Sequence, residues 1–156
     1  MSALPTRENM NHLFTMLFGD ETACQPAKAP VPLDPGTVIG IYTDVSGAVR
    51  RAVACDLSFA SSAGAALSLI PLATVNDAVK SGTLPDNILA NLHEVMNISV
   101  NLFAESYKER LEFSNLVRFE GLADDAKASL QTGTKVNFDV KFAQYPTGRV
   151  SLIAAL

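Results

Sequence analysis

The stretch from Thr83 to Leu111, T-L-P-D-N-I-L-A-N-L-H-E-V-M-N-I-S-V-N-L-F-A-E-S-Y-K-E-R-L, constrains the fold of this chain more than any other. Ile88, Leu89, Leu92, Val95, Met96, Ser99, Leu102 and Phe103 recur at three- and four-residue spacing, which predicts one long amphipathic helix. Thr83 reads as its cap and Pro85 as a first-turn residue, with Asp86 three positions after Thr83 at the spacing of a capping box. A helix with one apolar stripe has to lay that stripe on another element, so the rest of the chain must supply a surface for it.

The opposite face carries the chemistry. Asp86, Ala90, Glu94, Asn97, Asn101 and Lys108 fall together on the helical wheel, and Glu94 and Asn97 are neighbours one turn apart. Asparagine is a mediocre helix former, because its amide competes for backbone hydrogen bonds, yet Asn91, Asn97 and Asn101 all lie inside the stretch. Two readings follow. The face is solvated and the asparagines are cheap there, or a carboxylate and a carboxamide are presented to a partner or substrate.

The flanking segments define the class of fold. Glu8 to Phe18 reads as a short helix stopped by Gly19. Asp20 to Gly36 holds Pro26, Pro30, Pro32 and Pro35 and reads as extended, with an edge strand near Ala23. Thr37 to Val45 and Ala48 to Leu57 form an antiparallel hairpin about Ser46-Gly47. Ser58 is placed to cap a small-residue helix from Phe59 to Ile70, and Ala73 to Lys80 adds a further turn or two. Beyond the long helix, Leu116 to Leu122 alternates like a strand and Ala123 to Leu130 reads as a short helix. Thr134 to Phe142 alternates clearly, with Val136, Phe138, Val140 and Phe142 on one face. Tyr145-Pro146-Thr147-Gly148 reads as the turn that leads into a last strand, Arg149 to Leu156. Hairpins with segregated helices predict an α+β fold, an antiparallel sheet with helices packed on it. The two closing strands also suggest a sheet edge that must be covered or paired, hence a homodimer.

Composition narrows the function. A chain of 156 residues with 48% hydrophobic and 18% charged residues is expected to form a single globular domain spanning 1–156. With 12 basic and 16 acidic residues, and only Arg50 and Arg51 adjacent among the basic ones, no stripe forms for nucleic acid. No apolar run reaches the roughly 18 residues of a membrane span. The first residues lack the order of a signal peptide, so the chain is expected in the cytoplasm with Cys24 and Cys55 reduced, although a disulfide between them stays open. His93-Glu94 followed by Asn97 is not a zinc-protease H-E-x-x-H, because the second histidine is missing. No glycine-rich phosphate loop and no G-x-S-x-G occurs, and no spacing joins the cysteines to His12 or His93.

The element order and the Glu94-x-x-Asn97 pair together resemble the CheC/CheX group of chemotaxis phosphatases, nearest in pattern to the single-site CheX type. The resemblance covers most of the chain: a first helix ending L-F-G-D, the hairpin, the small-residue helix, the helix with L-H-E-V-M-N-I, and a closing strand pair containing Gly148. It implies a signal-transduction role, the dephosphorylation of an aspartyl phosphate on a response-regulator receiver domain. In that scheme Asn97 positions the attacking water and Glu94 pairs with a receiver lysine. The catalytic Mg²⁺ belongs to the receiver, so the chain carries no cofactor or metal of its own. Ala90 and Asn101 would complete the docking face. The resemblance also implies pairing of two copies through their sheets.

This sequence departs from the family pattern at Ala90, where an acidic residue or serine is usual, and at Ile98-Ser99-Val100, where a small residue such as glycine often follows. Ala90 removes a polar group from the docking face. That leaves a second reading, in which the same fold serves as a non-catalytic binding or scaffold module in a signalling or motility system.

Overall fold

The hairpin sequence V-I-G-I-Y is apolar on both faces of the strand, and a strand of that kind needs cover on both sides. The computed structural model, which describes residues 4–104 and 107–155, supplies it. Ala23–Pro26 (β1), Val38–Thr43 (β2), Val49–Cys55 (β3), Glu112–Arg118 (β4), Thr134–Phe142 (β5) and Tyr145–Ala154 (β6) form one six-stranded sheet. Every pairing is antiparallel, in the order β1-β5-β6-β3-β2-β4. The helices are Arg7–Phe18 (α1), Leu57–Ala66 (α2), Leu72–Ser81 (α3), Asp86–Ser99 (α4) and Asp124–Thr132 (α5). This is the expected α+β architecture.

Alternation along β2 assigns the two faces. Val38 and Tyr42 join the larger core with Met10, Phe14, Phe59, Leu92, Met96 and Leu152, under α1, α2 and α4. Ile39 and Ile41 point the other way, into a smaller core with Val31, Ala52, Phe119, Leu130 and Ile153, under α5 and the proline-rich segment. Among the described residues, no helix is long and apolar enough to cross a membrane.

Close backbone approach sets the helix layer. A Cβ at Gly64 would lie 2.5 Å from the Ile88 carbonyl oxygen, so α2 and α4 touch along their backbones. One at Gly148 would run into the Phe59 backbone, which seats α2 directly on β6. One at Gly40 would meet Met96 Sδ at 2.8 Å. At Gly64 and Gly148 the obstruction is backbone, so no larger residue fits, whereas at Gly40 it is the flexible Met96 side chain.

The structure redraws several sequence expectations. The α-helix from Asp86 ends at Ser99 and continues only as a 3-10 turn, Val100–Phe103, and residues 107–111 are not helical; residues 105 and 106 lie outside the described residues. Local side-chain bonds accompany the ending: Ser99 Oγ donates to the Val95 carbonyl (2.7 Å) and Asn101 Nδ2 to the Ile98 carbonyl (3.0 Å). The chain must then turn back so that Glu112–Arg118 can pair with β2, which starts that strand earlier than its alternation suggests. Lys108 therefore leaves the helical face on which the wheel had put it.

Thr83 does not cap α4: Pro85 occupies the N-cap position and no side-chain cap bond forms. Asp56, not Ser58, caps α2, its Oδ1 accepting from the Phe59 amide at 2.8 Å. Tyr145-Pro146-Thr147-Gly148 is strand rather than turn, and the hairpin closes through Ala143 and Gln144. Gly148 is there for the contact with Phe59, and Pro146 sits beside the register shift after Val140. Finally, β5 and β6 are interior strands, since β1 covers β5 and β3 pairs with β6. The edges of the sheet are β1 and β4.

Gly64→Val should lower stability by about 1–3 kcal/mol through overpacking against Ile88, read as a lower urea midpoint at unchanged m-value. An unchanged midpoint would mean that α2 and α4 do not meet at that point.

Candidate functional site

The buried side of α4 is held from three directions. Its stripe of Ile88, Leu92, Val95 and Met96 lies in the larger core. From the sheet, the Tyr42 hydroxyl donates to the Met96 carbonyl at 2.6 Å, a buried bond that fixes the helix along its axis. From α2, the Asn91 amide donates to the Gly64 carbonyl (2.8 Å) and to Ser68 Oγ (2.7 Å). The rotation of α4 is thereby set, and with it the direction of the outer face.

That outer face carries Ala90, Glu94 and Asn97, all exposed. Among the described residues neither Glu94 nor Asn97 makes a side-chain hydrogen bond or ion pair. Of the three asparagines that the sequence singles out, Asn91 is spent on α2 and Asn101 on the end of its own helix; Asn97 alone is free. On one flank His93 packs edge-on against Phe113 of β4, ring centroids 5.8 Å apart. Asn91 and its bond to Ser68 form the other flank.

Four candidate residues thus divide. Ala90, Glu94 and Asn97 share the regular helix, whereas Asn101 lies on the 3-10 turn beyond it. Asn101 is exposed and borders a cavity of about 350 Å³ beside the start of α1, lined also by Leu4, Pro5, His12 and Leu102. Neither Glu94 nor Asn97 lines that cavity. Both side chains stand exposed on the outer side of a helix, where a partner can reach them.

The chemistry on offer follows from the two groups. A free carboxylate pairs with a cation, and a free carboxamide donates and accepts at once, so it can hold a water in a fixed orientation. Among the described residues no group of three or more His, Cys, Asp or Glu side chains is placed to hold a metal ion. The cysteines are free and buried; burial pushes the Cys24 thiol up to about 12, against the pull of Arg7, and raises Cys55 as well. Neither is an available nucleophile. The depressed carboxyl of Asp44 also has a structural cause, hydrogen bonds from Ser46 Oγ and Arg50 Nε that close the β2–β3 hairpin.

No protein-family model matches the chain, and no curated protein sequence matches it. Solved structures do share its fold. FliM in the FliM–SpeE complex from H. pylori superposes with a TM-score of 0.63 at 8% identity, over 96% of this chain and 81% of that one. The FliG–FliM complex from H. pylori gives 0.55 at 9% identity, over 96% and 86%. Chemotaxis protein CheX from Vibrio vulnificus gives 0.45 at 10% identity, over 92% of each chain, so the fold assignment rests on the FliM structures. The fold is the one these FliM structures share, an antiparallel sheet with helices packed on it, which is the kind of fold the sequence resemblance implied.

If the outer face is free as described, Glu94→Ala and Asn97→Ala should change stability by no more than about 0.5 kcal/mol. Asn91→Ala should cost about 1 kcal/mol, because it strips a partner from α2. Chemical denaturation of the three variants checks this; a loss at Asn97 equal to that at Asn91 would make Asn97 a structural residue.

Proposed function

We propose that this chain is a CheX-like phosphatase that hydrolyses the aspartyl phosphate of a response-regulator receiver domain. The observation that carries the reading is the Glu94–Asn97 pair: exposed, unpartnered among the described residues and one turn apart on a helix clamped from below. An acyl phosphate is already reactive, so hydrolysis chiefly needs a water held in line with the bond that breaks. The Asn97 carboxamide holds that water when the exposed face of α4 enters the receiver's site. Glu94 pairs with a receiver cation and sets the register. The Mg²⁺ that balances the phosphoryl charge is the receiver's own, and this chain supplies positioning alone.

A second reading, a non-catalytic scaffold in a chemotaxis or motility system, is favoured by the better superposition on FliM than on CheX. FliM is seen in complexes with FliG and with SpeE. In this reading the same face of α4 binds without turnover, and Ala90 is one reason why, since it offers no polar group there.

Both readings allow a homodimer, which we place at β4. That edge strand is seven residues long, contains no proline and, among the described residues, pairs on one side only, with β2. Light scattering at high concentration should show a dimer; a monomer would remove this part of the proposal.

Turnover separates the two readings. Loss of phosphate from a phosphorylated receiver should be accelerated by the wild-type chain and slowed by about 10²–10³-fold in Asn97→Ala. Glu94→Ala should raise KM with a smaller effect on kcat, and Ala90→Asp should lower KM. Receiver binding without any acceleration would leave the scaffold reading standing; full activity in Asn97→Ala would overturn the assignment of the water-positioning residue.

A further inference from the structure

His93 packs as a plain aromatic ring would and leaves its nitrogens without a task. The ring stands edge-on to Phe113 of β4, with centroids 5.8 Å apart and planes at 68°. Among the described residues neither ring nitrogen has a hydrogen-bond partner or an ion pair. A phenylalanine would make the same edge-on contact, so packing accounts for the ring and not for the imidazole. The support under it is firm. Phe113 stacks in turn on the buried Tyr42, centroids 5.7 Å apart, and the Tyr42 hydroxyl is the group that holds α4 at the Met96 carbonyl. His93 therefore rests on the same clamp that orients the helix.

The helix sets this residue beside the candidate pair. His93 is exposed and lies four residues before Asn97, within the regular part of α4. Four residues advance the helix by one turn and about 40°, so the two side chains are near neighbours. Helical side chains lean toward the N-terminus, so the Asn97 carboxamide covers the turn that carries His93 and Glu94. It is bracketed there, by Glu94 on one side and by His93 on the other. One turn further down, Ala90 stands three residues before His93 and four before Glu94, and its methyl group leaves the space between them open.

We infer that His93 is a second water-holding residue: an unprotonated imidazole nitrogen accepts one hydrogen of the water that the Asn97 carboxamide orients toward the phosphoryl group. This rests on the proposed function and adds a catalytic residue to that same site. A water held by one amide still swings about that single bond. A second acceptor one turn away fixes the direction of its lone pair. The carboxamide oxygen takes one hydrogen of the water and the imidazole takes the other. Glu94 is committed to the receiver's cation, so His93 is the acceptor left on that turn. The water oxygen then attacks phosphorus, the bond from phosphorus to the aspartyl oxygen breaks, and the carboxylate leaves with the electron pair while the proton of the water passes to solvent.

The test uses the full chain and a purified receiver domain phosphorylated by acetyl phosphate. His93→Phe keeps the ring against Phe113 and deletes the nitrogens. Its urea midpoint and its KM for the receiver should match wild type, while kcat falls by about tenfold. His93→Gln, which restores an acceptor, should have a higher kcat than His93→Phe. Because both residues act on one water, the double variant Asn97→Ala/His93→Phe should be no slower than Asn97→Ala alone. Full kcat in His93→Phe alongside a slow Asn97→Ala would overturn the inference and leave the phosphatase reading in place. So would an effect on KM alone, a lowered midpoint with activity per folded molecule unchanged, or losses that multiply in the double variant. A wild-type chain that accelerates the decay of no receiver would overturn the phosphatase reading and this inference with it.

Discussion

The approach of α2 to α4 on one side and to β6 on the other is the contact on which the rest depends. Gly64 lets the two helix backbones meet at Ile88, and Gly148 lets the Phe59 backbone lie on the sheet. With a side chain at either place, α2 would lift, and α4 would lose both its lateral neighbour and the Asn91 bonds to Gly64 and Ser68. Close-packed interiors transmit such a displacement instead of absorbing it. Seen from α4, the glycines do more than save space: they fix which way the helix is rotated.

Rotation matters because the candidate site is a face and not a pocket. Glu94 and Asn97 gain no definition from walls around them, so their positions depend on the backbone that carries them. A helix pinned by the Tyr42–Met96 hydrogen bond and by a filled stripe offers a rigid mount. The mount has no need of the pair for its own stability, since neither side chain is engaged among the described residues. A carboxamide that is free before the partner arrives loses no internal hydrogen bond on binding.

Much of the fold was legible in the sequence because its signals were periodic. The V-I-G-I-Y hairpin, the alternation of Thr134 to Phe142 and the stripe from Ile88 to Met96 each report a face, and each was placed correctly. What the sequence left hidden depended on contacts between distant residues. Gly148 looks like a turn residue until Phe59 is seen resting on it. Leu102 and Phe103 continue the helical spacing, yet the chain must reverse to lay β4 beside β2, and tertiary pairing overrides the pattern. Sheet order was illegible for the same reason: the strand that covers β5 is the short Ala23–Pro26, more than a hundred residues earlier. At the site, Ala90, Glu94 and Asn97 came directly from helical spacing. That Asn91 is spoken for, through Gly64 and Ser68, required the fold.

The central claim is that the outer face of α4 is where a protein partner binds, with Asn97 as the group that reaches into it. Asn91 and Asn97 give an internal pair of reporters, one amide held by α2 and one free. Following both side-chain amides by NMR while a phosphorylated receiver domain is titrated in tests the claim most directly. The account predicts that the Asn97 amide and the backbone signals of Ala90 and Glu94 shift on binding while the Asn91 amide does not. Binding that leaves Asn97 unmoved and shifts instead the residues around the cavity beside α1, or those of the β4 edge alone, would contradict it.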